Sequence, residues 1–157
     1  MSARLPAPAL AVAAVVAAAA AIQLVPVRRD NPPVGFEVEA PPAVREVLER
    51  ACYDCHSNRT RWPWYGRIAP VSWLVARDVH KGRRELNFTE WPAFDFEEQE
   101  HLLADIAKQV ERRRMPLPIY LTLHPEARIS AGERRALVAW ARGQDAAASA
   151  AEPDGGR

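Results

Sequence analysis

The chain has 157 residues, of which 48% are apolar and 26% charged, and its formal net charge is +1. That is the composition of an ordinary single globular domain, and so small a net charge speaks against a nucleic-acid binder, whose docking face is strongly basic. The local clusters KGRR at 81–84 and ERRR at 111–114 read as solvated helix ends.

No charged residue lies between Arg4 and Arg28, and the intervening run is almost all Ala, Val, Leu and Ile. Residues 1–29 therefore read as a signal or anchor segment. About 20 apolar residues cross a bilayer as a helix, whereas a cleavable signal has a shorter apolar region ending in small residues. The length predicts an uncleaved N-terminal membrane helix. The alanines from Ala17 to Ala21 keep cleavage open, and Arg4 against Arg28 and Arg29 gives little charge bias. Either way the remainder is expected outside the cytoplasm: anchored on the periplasmic side of a bacterial inner membrane, or soluble in the periplasm if the segment is cut.

Residues 30–41, rich in proline and without a sustained period, read as a linker. The folded domain is expected over 42–143, and the small, polar residues 144–157 are expected to be a disordered tail. From Pro42 onward Val44, Val47, Leu48, Ala51, Cys52 and Cys55 follow helical spacing, which predicts one amphipathic helix with both sulfurs on one face.

The stretch ACYDCHSN at 51–58 holds both cysteines of the chain, three apart, with His56 directly after the second. Cys-x-x-Cys-His on a helix can offer two thiols to the vinyl edges of one haem while the imidazole turns to its iron, the attachment signature of haem c. A thioredoxin-like pair or half a zinc site shares the pattern. A zinc site wants a second cysteine pair, which the chain lacks, and a thiol oxidoreductase wants strands around the motif, of which there is no signal.

From CYDCHSN through RWPWYGRIAPVSWLVARDVHKG to NFTEW, the chain resembles the small haem-binding domain family of exported bacterial proteins. The likeness covers roughly residues 40–142. It implies one covalent haem c in a domain akin to cytochrome c, with Cys52 and Cys55 for attachment and His56 as proximal ligand, and it implies no particular reaction.

Downstream, Pro70 to Gly82 predicts a second helix with Gly82 as its stop. Asp95 with Glu98, and Ser130 with Glu133, are capping boxes that open two more, the third ending in three arginines and the fourth at Gly143. The expected fold is all-α: about four helices around one haem, resembling the cytochrome c class, plus the N-terminal membrane helix.

The second axial ligand is expected to be Met115, the one methionine besides the initiator, at a helix end before Pro116 and Pro118. The resemblance supports it, since its matching segment carries Met-Pro followed by Tyr and His-Pro. His124 is the rival, while His80 and His101 read as surface residues. Trp62, Trp64 and Tyr65 are expected to wall the haem, and Arg59, Arg61 or Arg67 to meet its propionates. The leading function is electron transfer with a protein redox partner, not catalysis. A haem-based redox or gas sensor, or a peroxidase-like site with an open distal position, is the alternative.

Overall fold

The computed structural model describes residues 6–143; Arg4 and the tail expected over 144–157 lie outside the described residues. Every regular element among them is helical. In chain order these are α1 (Ala7–Ile22), α2 (Pro42–Ala51), α3 (Tyr53–His56), α4 (Val71–Glu85), α5 (Phe96–Glu111), α6 (Pro118–Leu123) and α7 (Ala131–Ala141), with 3-10 turns at Trp64–Arg67, Trp91–Ala93 and Pro125–Ala127. The all-α class is as expected, but the helices exceed the expected count. The helix expected over the attachment motif divides into α2 and α3, and α6 forms in the proline-rich stretch that reads as loop.

The chain divides into two compact units. The first, among the described residues, comprises 6–30 and 62–78. Its α1 is 16 residues long, about 24 Å at 1.5 Å per residue, against a hydrocarbon thickness of roughly 30 Å. No helix among the described residues is long and apolar enough to cross a membrane, so the expected spanning helix is replaced by a shorter apolar one. Gln23 closes it: its amide donates to Ala19 O at 3.1 Å and to Ala69 O at 3.2 Å, while its carbonyl oxygen accepts from Ala69 N at 2.9 Å.

The second unit comprises 31–61 and 79–143 and holds the main core. Helix α7 packs on α5 and on α2. Val44, Val47 and Leu48 of α2, Ile106, Ala107 and Val110 of α5, and Ala136, Leu137 and Val138 of α7 meet there with Phe88 and Tyr53. The periodicity of the apolar residues dictates this, because each helix offers one stripe and buries it against the others. Both capping boxes form, Asp95 with Glu98 and Ser130 with Glu133, so each helix begins with its orphan amides satisfied.

The segment that reads as a linker carries no helix or strand. Its main chain bonds to residues 88–91: Gly35 N to Thr89 O at 3.0 Å, Val38 N to Phe88 O at 2.9 Å, and Trp91 N to Phe36 O at 3.1 Å. Val38 is buried in the core.

Candidate haem site

The Cys-x-x-Cys-His motif occupies the joint between α2 and α3. Cys52 caps α2 with φ −125° and ψ −36°, well away from the helical φ of about −63°, so α3 leaves the axis of α2 and the two cysteines do not share one unbroken helix. The joint stays bonded: Cys52 N donates to Leu48 O, and Cys52 O accepts from Cys55 N at 3.1 Å and His56 N at 2.9 Å. Ser57 ends α3 in extended conformation, with its hydroxyl returned to Tyr53 O at 2.7 Å.

His56 is held from behind. Its Nδ1 lies 3.0 Å from Gly82 O and 3.2 Å from Leu86 O. Both partners are carbonyls and can only accept, so Nδ1 carries the hydrogen and Nε2 keeps its lone pair. Burial lowers the imidazole pKa below its ordinary value, against the opposing pull of the Leu86 and Gly82 carbonyls and of Glu85. The ring is therefore neutral, oriented and able to bind a metal through one nitrogen, the arrangement that second-sphere partners impose on histidine ligands.

Gly82 is not a helix stop, because α4 continues to Glu85. Its reason is proximity: a Cβ there would stand 2.6 Å from Cys55 O and 3.1 Å from Cys55 C. Only a residue without a side chain lets α4 pass close enough for its carbonyl to reach His56.

Cys52, His56 and Met115 line one cavity of about 420 Å³. Leu102, Ile106 and Val110 wall it from one face of α5, joined by Phe88 and Ile129, with Glu85, Asp105 and Gln109 as polar members. Cys55 is not among the lining residues. The two cysteines are not joined in a disulfide. Burial, reinforced by repulsion from Cys55 and opposed by Arg50, pushes the Cys52 thiol up to about 12. A thiol so hard to ionise is a poor nucleophile, unlike the activated cysteine of a disulfide oxidoreductase.

Met115 follows α5 through a turn in which Arg113 adopts φ 53°. Gln109 O accepts from Arg114 N at 2.9 Å and from Met115 N at 3.4 Å. His124 does not line the cavity. It stacks on Tyr120, with ring centroids 4.2 Å apart and 15° between planes, and its Nδ1 is 2.8 Å from Glu126 Oε1.

The aromatic residues expected around the haem do not belong to the unit that holds the cavity. Trp62, Trp64 and Tyr65 belong to the first unit, where Trp64 and Tyr65 pack edge to face on each other and Trp64 is exposed. The cavity walls are mainly aliphatic instead. Arg59 pairs with Glu37, and Arg61 with Asp54, so both guanidinium groups already have carboxylate partners.

What the sequence does not announce is the frame behind the motif. Asn58 N donates to Thr89 Oγ1 at 2.8 Å, and its side-chain amide to Pro33 O at 2.9 Å and Glu90 Oε1 at 2.7 Å. Asn87 Nδ2 donates to Asn58 Oδ1 at 2.9 Å, and Asn87 Oδ1 accepts from the Thr89 hydroxyl at 2.8 Å. Arg83 grips Ser57 O at 2.7 Å and Thr60 Oγ1 at 2.7 Å. Ser57, Asn58, Asn87 and Thr89 are all buried. Two polar pairs a few residues from His56 and from Leu86 were the available signal.

Among the described residues, no three His, Cys, Asp or Glu side chains converge on a common point for a metal ion. One imidazole, one thioether and one thiol line the same cavity on mainly aliphatic walls, donor types suited to haem.

Comparison with known families agrees with this chemistry: the haem-binding domain family matches residues 17–143. No curated protein and no solved structure matches the chain.

Proposed function

The chain belongs to the haem-binding domain family and binds haem. We propose that it does so as a c-type electron-transfer protein of the bacterial cell envelope, with a cytochrome c-like fold around one covalently attached haem. Cys52 and Cys55 would form the thioether links, and His56 and Met115 would hold the iron. The observation that carries this reading is His56: two main-chain carbonyls fix its tautomer, and its ring lines the same cavity as Cys52 and Met115.

When bound, haem supplies a one-electron couple at its iron. The residues then set how easily the electron moves. The Gly82 and Leu86 carbonyls make the His56 ring a firm donor, the soft Met115 sulfur favours the reduced state, and Leu102, Ile106 and Val110 keep water and its dielectric away, which disfavours the extra ferric charge. A protein redox partner is implied, and no reaction of the domain's own is required. The apolar α1 serves as a targeting segment, associating the chain with the membrane or delivering it to the periplasm, where haem c is assembled.

A pyridine haemochrome spectrum of protein made with a haem c maturation system tests the core of this. Two thioether links are expected, with haem staining that survives a denaturing gel and disappears in Cys52→Ala/Cys55→Ala. Stain retained in that double variant overturns covalent attachment at this motif.

A further inference from the structure

Met115 is tethered on both sides. On its N-terminal side the main chain is bonded to Gln109 O at the end of α5. On its C-terminal side comes α6, six residues long, with none of them fully buried and with Ile119 and Leu123 exposed. So short a helix is marginal by itself, and its apolar contact with the core is through the half-buried Tyr120 and Leu121. Its firmest polar link runs back to the attachment motif: the Tyr120 hydroxyl donates to Asp54 Oδ2 at 2.8 Å. Asp54 lies between the two cysteines and is fixed in turn by Arg61, whose main-chain N is 3.0 Å and Nε 3.2 Å from Asp54 Oδ1. The Tyr120 ring is also pinned, stacked on His124, which holds Glu126.

We propose that Tyr120 and Asp54 form a latch that positions Met115 at the cavity lined by His56, by fastening the methionine segment to the turn that carries the cysteines. Tyr120 and Asp54 are positioning residues; neither lines the cavity. The inference rests on the His56/Met115 ligation proposed above. Burial, and then the bond to Asp54, raise the Tyr120 pKa, so the phenol remains a donor throughout the working range.

The test uses the haem-loaded protein with three substitutions. Tyr120→Phe removes one hydroxyl and keeps the ring stack. Asp54→Ala removes the acceptor, and Asp54→Asn leaves an oxygen that can still accept from Tyr120. Amide hydrogen exchange over 117–124 and the rate at which added imidazole displaces the distal ligand are measured for each. Tyr120→Phe and Asp54→Ala are expected to raise both by about tenfold, the scale of one hydrogen bond to a charged group, with exchange in α5 and α7 unchanged and Asp54→Asn intermediate, because its single neutral oxygen cannot accept from both Tyr120 and Arg61. Native exchange over 117–124 in Tyr120→Phe, or a uniform rise across all helices, overturns the latch. The two readings fail separately. If the native protein lacks the Met-to-iron absorption band, ligation by Met115 is wrong, while the exchange comparison needs no iron bond and still decides whether this contact holds the 115–123 segment.

Discussion

The imidazole of His56 donates its Nδ1 hydrogen to the carbonyl of Gly82 at 3.0 Å, and the same glycine sits where any Cβ would lie 2.6 Å from Cys55 O. One residue thus accepts from the proposed ligand and allows the close approach that makes acceptance possible. Gly82→Ala must push α4 off the attachment turn, because main-chain atoms of Cys55 cannot yield as a flexible side chain would. The expected cost is about 1–3 kcal/mol of stability, read as a lower denaturation midpoint, together with a perturbed haem spectrum as the His56 ring loses its hold. A variant with native stability and spectrum would show that the close approach is not needed.

Removal of Met115 should separate the two candidates for the distal position. Met115 lines the cavity with His56, whereas His124 is stacked on Tyr120 and paired with Glu126. Met115→Ala is expected to abolish the weak red absorption band of ferric haem bound through methionine sulfur, to lower the reduction potential, and to open the site to cyanide and carbon monoxide. His124→Ala should leave the band in place. The reverse pattern would assign the distal position to His124, and an open site in the native protein would favour a sensor or a peroxidase-like enzyme.

Helices α5 and α7 are legible in the sequence because their signals are local: a capping box at each start and an apolar stripe over several turns. That Cys52 and His56 line one cavity is legible for the same reason, since both lie in one contiguous motif. The break between α2 and α3 is not, since Cys52 fits the apolar period and only its backbone angles depart from it. Helix α6 is too short to display a period and is hidden among prolines. Gly82 reads as a helix end because its purpose is a contact with Cys55, far away in the chain, and pairings of that kind leave no local pattern. Trp62, Trp64 and Tyr65 are near His56 along the chain, but the chain passes from the second unit to the first between Arg61 and Trp62, and such a boundary leaves no local pattern.

The buried frame of Asn58, Asn87 and Thr89 predicts a stability effect. Asn58→Ala deletes donors to Pro33 O and Glu90 and an acceptor for Asn87, leaving the buried Asn87 amide without that partner. Orphaning such a group costs about 1–3 kcal/mol. Urea denaturation should show a lower midpoint at unchanged slope, with the proposed thioether attachment unaffected because neither cysteine is altered. A shift within error would mean that the network can rearrange around the gap.

Acid stability should report on Arg50 and Glu133. Arg50 Nη2 lies 2.5 Å from Glu133 Oε1, and Arg50 Nη1 reaches Arg128 O at 2.9 Å, so this guanidinium ties α2 to the start of α7. Partial burial pushes the Glu133 carboxyl up, but the Ser130 backbone N–H and hydroxyl together with Arg50 outweigh it and hold the group below the ordinary carboxylate range. A folded-state pKa below the unfolded one means that the unfolded chain binds more protons in that window. The contribution is then fully present above the unfolded value of about 4.3 and is lost as pH falls through the folded one. Glu133 is partly exposed, so solvent screening keeps the effect small. Glu133→Gln is expected to lower stability at neutral pH and to flatten the decline below about pH 4, measured as denaturation midpoints across that range. An equal decline in the variant and the native protein would assign the acid sensitivity to other carboxylates.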